Sequence, residues 1–250
     1  KATTTSMEPP ALRTKLLPLC RLVRLPNVFS AAADILLGYW LTSTPDEPTR
    51  SYSLPLLLIA SCSRYATGMV TNDIFDLAID RRERPFRPLP SGAVSRSFAI
   101  GLAVALITVG IYTADIVGPV AGIFALAIAV TMLAYNAKAK HSVIGPFVMG
   151  ACRAWNVLLG MSMTLGANGA PNLLWLIPLG NGVYISGVTW FAKQEAQQSS
   201  TRRLKTGAVL MAAGLVLHAV CLALVPARYG IAWLAGLPSD AAMDVRTTLG

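Results

Sequence analysis

Long apolar stretches alternate with short polar ones along almost the whole chain. Seven of the apolar stretches approach or exceed the roughly 20 residues that a helix needs to cross a bilayer. They lie at residues 25–43, 54–75, 97–115, 118–136, 143–166, 173–192 and 206–226. The polar stretches between them leave no room for a separate soluble domain. The pattern predicts an all-α, polytopic transmembrane helical bundle that forms one domain over residues 1–250.

Composition and charge distribution support a membrane protein. Hydrophobic residues make up 54% of the chain and charged residues only 13%, which leaves too little polar surface for a soluble fold. When the polar segments are assigned to alternate sides, sixteen basic residues fall on the side of the N-terminus and three on the other. The excess predicts that the N-terminus and the basic loops are cytoplasmic. The net charge of +9 therefore follows from topology and contact with lipid headgroups, and it requires no nucleic acid.

Four oxygen-bearing side chains close the second apolar stretch. Asn72, Asp73, Asp76 and Asp80 are spaced i, i+1, i+4 and i+8, which covers about one third of a helix circumference. Carboxylates crowded at a membrane boundary repel each other unless a cation lies among them. Hard oxygen ligands suit Mg²⁺, which also takes water and substrate phosphate oxygens. The spacing indicates a Mg²⁺ site, with a solvated helix end as the alternative.

A basic, proline-rich loop follows directly at residues 81–92. Its prolines restrict the backbone and its arginines carry fixed positive charge. A metal ion flanked by guanidinium groups suits a diphosphate, because the phosphate oxygens can coordinate the metal and accept hydrogen bonds from the arginines. Arg84 and Arg87, each followed by proline, are the candidate diphosphate ligands of the loop. The alternative is a loop that only contacts anionic headgroups.

Together these residues resemble the UbiA-type intramembrane aromatic prenyltransferases. The resemblance rests on N-D-x-x-D-x-x-x-D at residues 72–80 and R-P-x-R-P-x-P-S-G at residues 84–92. Weaker support comes from Arg24-x-x-Asn27 and from Tyr135-Asn136-Ala137-Lys138. The resemblance implies a cytoplasm-facing cavity that binds a polyprenyl diphosphate through Mg²⁺, with the prenyl tail running between helices toward lipid.

The expected activity is Mg²⁺-dependent transfer of a prenyl group to an acceptor in the membrane. An aromatic acid, a quinone precursor, a tetrapyrrole and a sugar all stay open as acceptors. The expected metal ligands are Asn72, Asp73, Asp76 and Glu195, and the expected catalytic residues are Asp73, Asp76 and Asp80. The expected substrate-binding residues are Asn27, Arg84, Arg87, Tyr135, Lys138, Lys140 and Arg153.

Polar residues inside the apolar stretches are further candidates. Asn27 and Asp34 are seven residues apart and are expected on one stripe of the first spanning helix. Arg153 and Asn156 share a face three residues apart, and Arg153 is expected to face the diphosphate cavity. Arg64 points away from the arc of Asp76, which disfavours it as a phosphate ligand. An ionisable group in a span is a functional candidate, with a hydrogen bond to a neighbouring helix as the alternative.

One departure from the family pattern concerns its second acidic motif. Members of the family carry D-x-x-x-D after the sixth helix. Residues 191–200 contain a single acidic residue, Glu195, and Ser199 stands four residues later, where the second acid would be expected. Gln194, Gln198 and Ser199 could complete a weaker site, or the protein could bind a single metal. A third alternative is a non-enzymatic carrier or assembly partner for an isoprenoid lipid. Residues 190–193 are similar to the EboC branch of the family.

A second departure concerns length, because the family typically has nine helices. Residues 229–237 are too short to span and are expected to lie at the membrane interface, and residues 244–250 could begin an eighth helix. We therefore expect that seven membrane spans are visible here out of an expected eight or nine, and that the chain is truncated at its C-terminus.

Overall fold

The structure is a computed structural model that describes residues 11–42, 52–167, 172–195 and 201–224, and these residues form helices and short connections without a strand. The helices are α1 (Ala11–Leu22), α2 (Leu25–Thr42), α3 (Ser53–Phe75), α4 (Leu77–Glu83), α5 (Arg96–Val117), α6 (Pro119–Ala137), α7 (Gly145–Ala167), α8 (Leu176–Glu195) and α9 (Thr201–Leu224). Short 3₁₀ turns precede α7 and α8. The all-α prediction is confirmed for these residues.

The predicted count of seven spans is not confirmed. Four segments within the described residues are long and apolar enough to cross a membrane, namely Arg96–Val117, Pro119–Ala137, Leu173–Lys193 and Leu204–Leu224. The end of α1 and α2, bent by 48°, would make a fifth. Helices α3 and α7 each have 23 residues, which is long enough to span, but polar and charged side chains lower their mean hydropathy. Those polar side chains include Asp73 in α3 and Arg153 in α7.

A central cavity lies between four of the helices. Helix α3 packs against α2, α5 and α6, and α7 packs against α2, α6 and α8, while α9 lies on α8. Buried apolar side chains of α2, α3, α6 and α7 hold this arrangement together, among them Ile35, Leu57, Ala125 and Leu159. The cavity itself is lined by apolar side chains, such as Ile128 and Met132, together with polar side chains of the same helices.

Helices α2 and α7 contact each other backbone to backbone. A Cβ atom on Gly38 would lie 2.3 Å from the carbonyl oxygen of Val157, and one on Gly160 would lie 2.6 Å from that of Ile35. Only glycine permits such an approach, as is common in membrane bundles. The contact brings Asp34 of α2 within reach of the side chains of α7.

The predicted helical arc from Asn72 to Asp80 is interrupted. Helix α3 ends at Phe75, and Asp76 separates it from α4 with φ −87° and ψ 0°. The Asp76 amide still donates to the carbonyl oxygen of Asn72 over 2.9 Å. The four oxygen-bearing side chains form two pairs. Asp73 and Asp80 share one basic group, and Asn72 and Asp76 share another, so the four do not surround a single cation.

The arginine loop between α4 and α5 is anchored by apolar contacts. Leu89 and Val94 are buried together with Leu22 of α1, Val70 of α3 and Ala99 of α5. The Val94 amide closes the loop with a 3.0 Å hydrogen bond to the carbonyl oxygen of Pro88. The loop is thereby held against the ends of three helices, which fixes the position from which its arginines reach inward.

Several predicted features fall outside the described residues. These are the interfacial stretch at 229–237, the start of a helix at 244–250, Ser199, and the side chains of Gln194 and Glu195.

Candidate functional site

Asp73 and Asp80 share the guanidinium group of Arg87. The Arg87 Nη1 atom lies 2.6 Å from Asp80 Oδ2 and 3.4 Å from Asp73 Oδ1. Arg84 reaches Asp80 over 3.7 Å, and Arg24 reaches Asp73 over 3.4 Å. Both carboxylates are buried, and the ion pairs with three arginines offset the cost of removing them from water.

Arg24 has an unusual backbone conformation. It lies between α1 and α2 with φ +50°, the only positive φ of a non-glycine residue in the described part of the chain. The left-handed region is disfavoured for side chains such as arginine. The turn directs α1 away from α2 and leaves the Arg24 guanidinium beside Asp73. Strain of this kind is often stored at functional sites.

Asn72 and Asp76 hold a different cation, the ammonium group of Lys140. Its Nζ atom lies 2.5 Å from Asp76 Oδ1 and 3.3 Å from Asn72 Oδ1. The loop that carries Lys140 is supported from α8, because Lys193 Nζ donates to the carbonyl oxygens of Lys140 and Ser142 over 3.4 and 2.9 Å. We call the four predicted residues at 72, 73, 76 and 80, with Arg24, Arg84, Arg87 and Lys140, the motif cluster.

The donor atoms of the motif cluster fit a magnesium ion that is shared with a substrate. Two hard oxygens, from Asn72 and Asp76, already converge on one cationic nitrogen. Within the described residues no three Asp, Glu, His or Cys side chains are placed to hold a metal by themselves. Mg²⁺ is commonly bound by one or two carboxylates, with water and phosphate oxygens completing six ligands. Asn72 and Asp76, with Asp73 close by in sequence, could hold such an ion when a phosphate supplies the rest.

The central cavity begins one helical turn from Asn72. Its volume is about 100 Å³, and Gly68, Tyr135 and Asn136 are among its lining residues. The Asn136 side-chain amide donates to the carbonyl oxygen of Gly68 and to the Thr71 hydroxyl, over 2.9 and 2.8 Å. These bonds tie the end of α6 to α3 directly beside the motif cluster.

A second polar cluster lies deeper in the bundle. Asp34 accepts hydrogen bonds from Arg153 Nη2 at 3.1 Å, from Asn156 at 3.1 Å and from Asn181 at 3.2 Å, and Arg153 Nε completes the ion pair 3.0 Å from Asp34 Oδ2. Ser61 donates to Asn156 Oδ1 over 2.8 Å, so that the network joins α2, α3, α7 and α8. We call these five residues the interior cluster. Arg153, Asn156 and Ser61 also line the central cavity, whereas Asp34 and Asn181 do not.

The remaining residues that were considered from the sequence lie outside both clusters. Asn27 and Lys138 are exposed, so Asn27 does not share the buried position of Asp34, and Tyr135 lines the cavity. Arg64 is buried and donates to the carbonyl oxygen of Ala125 in α6, away from the motif cluster. The site roles assigned from sequence stay predictions. Asn181 was not predicted at all, because a single amide in an apolar helix carries no distinctive spacing.

A model of the UbiA prenyltransferase family matches residues 32–243. The chain belongs to this family. Digeranylgeranylglyceryl phosphate synthase from Metallosphaera sedula is 31% identical over 144 residues, which are 57% of this chain and 50% of that protein. The same enzyme from Sulfurisphaera tokodaii is 32% identical over 141 residues, 56% of this chain and 50% of the relative. In these matches the chain spans about half the length of its curated relatives.

Solved structures of UbiA homologues share the fold. The structure reported for digeranylgeranylglyceryl phosphate synthase in membranes has a TM-score of 0.67 and 25% identity, and the match covers 82% of this chain and 77% of that one. The UbiA homologue from Archaeoglobus fulgidus bound to GPP and Mg²⁺ has a TM-score of 0.69 and 16% identity, with 83% and 78% covered. Together with the apolar helices, these relationships identify an integral membrane protein.

Proposed function

We propose that this protein transfers a prenyl group from a polyprenyl diphosphate to an acceptor within the membrane, with Mg²⁺ as cofactor. The observation that carries the proposal is the motif cluster, in which hard oxygens and basic side chains alternate beside the central cavity. A diphosphate needs both kinds of group, because its negative oxygens bind metal and guanidinium alike. Family membership and the Mg²⁺- and GPP-bound homologue support it.

The basic side chains of the motif cluster would bind and orient the diphosphate. Arg84 and Arg87 contact Asp80, and Lys140 contacts Asp76, so positive charge flanks the acids at two points where phosphate oxygens could bind. As the allylic C–O bond breaks, negative charge grows on the departing diphosphate, and these fixed positive charges stabilise it. Bound Mg²⁺ would add Lewis-acid neutralisation of the same oxygens. Asn72, Asp73 and Asp76 are its proposed ligands, with Asp80 and Glu195 as further candidates.

The acceptor follows less directly from the site. The relatives are named as synthases of digeranylgeranylglyceryl phosphate. Removal of one geranylgeranyl group from that product leaves geranylgeranylglyceryl phosphate, a lipid phosphate with a free hydroxyl group. We infer that a glyceryl phosphate lipid is the first acceptor to test, ahead of the aromatic acids. The apolar part of the cavity lining, which includes Met69, Ile128 and Met132, suits the lipid chains of such an acceptor.

The test of transfer uses the purified protein in lipid nanodiscs with radiolabelled geranylgeranyl diphosphate. Geranylgeranylglyceryl phosphate and 4-hydroxybenzoate are supplied separately as acceptors, with Mg²⁺ or with EDTA. We expect a labelled product with one acceptor, and its loss with EDTA. Labelled donor that binds in the presence of Mg²⁺ without forming product with any acceptor would favour the carrier instead.

The carrier alternative has one observation in its favour, the reduced second acidic motif. Where relatives of this family offer two acids, residues 191–200 supply Glu195 alone. We expect Glu195→Gln to reduce transfer and Ser199→Asp to raise Mg²⁺ affinity, since the second change adds a carboxylate four positions after Glu195 in the sequence. A protein that transfers equally well with Glu195→Gln would show that this loop supplies no essential metal ligand.

We further propose that the N-terminus and the loops around residues 81–96, 137–142 and 193–205 face the cytoplasm. The asymmetry of basic residues supports this orientation. In a cysteine-free background, Ser95→Cys is expected to react with a membrane-impermeant thiol reagent only after the cells are opened. Asp115→Cys, at the other end of α5, is the matched control and is expected to react in intact cells. The reverse pattern would overturn the orientation.

A further inference from the structure

The wall of the central cavity carries two guanidinium groups and no carboxylate. Among the described residues that line it, Arg64 and Arg153 are the only ones of type Asp, Glu, Lys or Arg. Asp34 lies behind Arg153 and balances one of the two charges. Arg64 is 2% exposed, and its Nε and Nη2 atoms have no hydrogen-bond partner among the described residues. One positive charge beside the cavity is thus left uncompensated, which is costly inside a membrane protein and attracts an anion.

Arg153 is oriented so that part of its guanidinium group remains available. Nε and Nη2 are engaged by Asp34, and Nη2 also donates to the carbonyl oxygen of Ser30 over 2.7 Å. The third nitrogen, Nη1, makes no hydrogen bond with the described residues, and the side chain keeps 16% of its surface exposed. A guanidinium held on one edge by a carboxylate can bind a ligand oxygen with the remaining donors at little entropic cost.

The position of Arg153 separates it from the motif cluster. Asn156 contacts Ser61, which precedes Asn72 on α3 by eleven residues, or about 16 Å at 1.5 Å per residue. Arg153 lies one turn of α7 nearer to the motif cluster, at a depth of roughly 12 Å below Asn72. A diphosphate centred on Asn72 and Asp76 would leave the level of Arg153 about two helical turns deeper. A separate anionic group of the substrates can therefore occupy the cavity beside Arg153.

We propose that this wall is the acceptor subsite, where Arg153, positioned by Asp34, binds a carboxylate or phosphate oxygen of an acceptor that carries negative charge. The proposal rests on the proposed function and deepens it. The volume of the cavity, about 100 Å³, is several times the roughly 10–15 Å³ that one water molecule requires, so the cavity has room for one such head group. The positive charge of Arg64 raises the electrostatic potential in the same cavity. Asp34 orients Arg153 and does not itself contact the ligand.

Direct binding without the prenyl donor tests the subsite independently of transfer. Two matched pairs serve as probes in nanodiscs, geranylgeranylglyceryl phosphate against geranylgeranylglycerol and 4-hydroxybenzoate against phenol. We expect the charged member of at least one pair to bind about tenfold tighter, the effect of one hydrogen bond to a charged group. A preference only in the first pair identifies a lipid phosphate, and one only in the second an aromatic acid. Equal affinity within both pairs overturns the proposal.

Variants then assign the preference to Arg153. The double variant Asp34→Asn/Arg153→Gln keeps a hydrogen bond between the two side chains and removes both charges, so the preference should disappear. Arg153→Lys keeps the positive charge but lacks the planar guanidinium group, so it should retain only part of the preference for the charged probe. Asp115→Asn is the control, because it removes an exposed charge of α5 that does not line the cavity, and the preference of this variant for the charged probe should be unchanged.

The outcomes separate this proposal from the transfer activity. A charge preference that is lost only in the Arg153 variants supports the subsite, even in a protein that forms no product. A preference that survives Asp34→Asn/Arg153→Gln overturns it, even in an active enzyme. Affinity for geranylgeranyl diphosphate should be the same in all of these variants, and a parallel loss would place Arg153 at the diphosphate.

Discussion

The interior cluster and the motif cluster both pair acids with basic side chains, but they do so in different ways. Asp34 has a side chain 7% exposed and accepts three hydrogen bonds, all from α7 and α8, besides its ion pair with Arg153 Nε. Asp76 is 18% exposed and is paired with one lysine from a loop. An acid surrounded by donors on rigid helices is closed to a new ligand. An acid neutralised by one long side chain stays open to exchange.

Two of the basic partners in the motif cluster are also more exposed. Arg24 and Arg84 are 36% and 50% exposed, whereas Arg87 and Lys140 are 20% and 10% exposed and Arg153 of the interior cluster is 16% exposed. Exposed ion pairs contribute little to stability, while a buried pair is expensive to break. We therefore expect the outer pairs of Arg24 and Arg84 to affect the binding of metal and diphosphate more than stability, and the interior cluster to affect stability.

The largest effect is expected from Asp34→Leu. It leaves the Arg153 guanidinium buried without its carboxylate, so the free energy of unfolding should fall by about 3–5 kcal/mol. Asp76→Asn should lower it by less, about 1 kcal/mol, because the side-chain oxygens of the new amide and of Asn72 can still accept hydrogen bonds from Lys140. Reversible unfolding in mixed micelles measures both values. A loss for Asp34→Leu no larger than that for Asp76→Asn would contradict the contrast between the clusters.

A second variant shows whether the loss comes from the unpaired charge. Asp34→Leu/Arg153→Met replaces both members of the pair by apolar side chains of similar length. Such replacements can be neutral or stabilising. The double variant should regain most of the stability lost in Asp34→Leu.

The next largest effect concerns the donor. Asp73→Asn and Asp76→Asn each remove one charged oxygen ligand, so Mg²⁺-dependent binding of geranylgeranyl diphosphate should weaken about tenfold or more. Helical content by circular dichroism should stay unchanged. The matched control is Asp115→Asn, an exposed acid near the opposite end of α5. Affinity that is unchanged in both variants would indicate a solvated helix end without a metal site.

The helices could be predicted closely from the sequence, because each follows from a local apolar stretch. The stretches predicted at 97–115 and 118–136 correspond to Arg96–Val117 and Pro119–Ala137. Burial against lipid and against neighbouring helices requires the same apolar residues, so the signal does not depend on the arrangement of the bundle. The span count was less predictable, since α3 and α7 combine spanning length with polar residues.

The arrangement of the site could be predicted only in part. The motif residues could be found from their spacing, but their separation around Asp76 could not. It depends on Lys140, which lies 64 residues away, and on a loop anchored by Leu89. The contact of Asn181 with Asp34 bridges 147 residues. Pairings of this kind arise from helix packing, which leaves no local periodicity in the chain.

Exchange at the motif cluster can be tested through Lys140. In Lys140→Met the ammonium no longer competes for Asn72 and Asp76, so Mg²⁺ measured without donor should bind several-fold tighter. With donor present, transfer should fall, because a positive charge near the departing diphosphate is lost. Titration calorimetry with Mg²⁺ measures the first effect. Lys138→Met, an exposed lysine two residues away, is the control and should leave the affinity for Mg²⁺ unchanged. Weaker Mg²⁺ binding in Lys140→Met would show that the lysine supports the site and does not occupy it.

The smallest effect is expected at Arg24, where stability and binding should separate. Arg24→Gly removes a half-exposed ion pair, worth under about 1 kcal/mol, and relieves a left-handed backbone conformation that costs about 1 kcal/mol or more. The free energy of unfolding should therefore change little or rise slightly. Affinity for geranylgeranyl diphosphate should nevertheless fall a few-fold, because a charge beside Asp73 is lost. Arg24→Lys keeps both the charge and the strained backbone, and it should retain most of the affinity. If Arg24→Gly lost stability and Arg24→Lys did not, the 3.4 Å contact with Asp73 would be structural, and this part of the motif cluster would behave like the interior cluster.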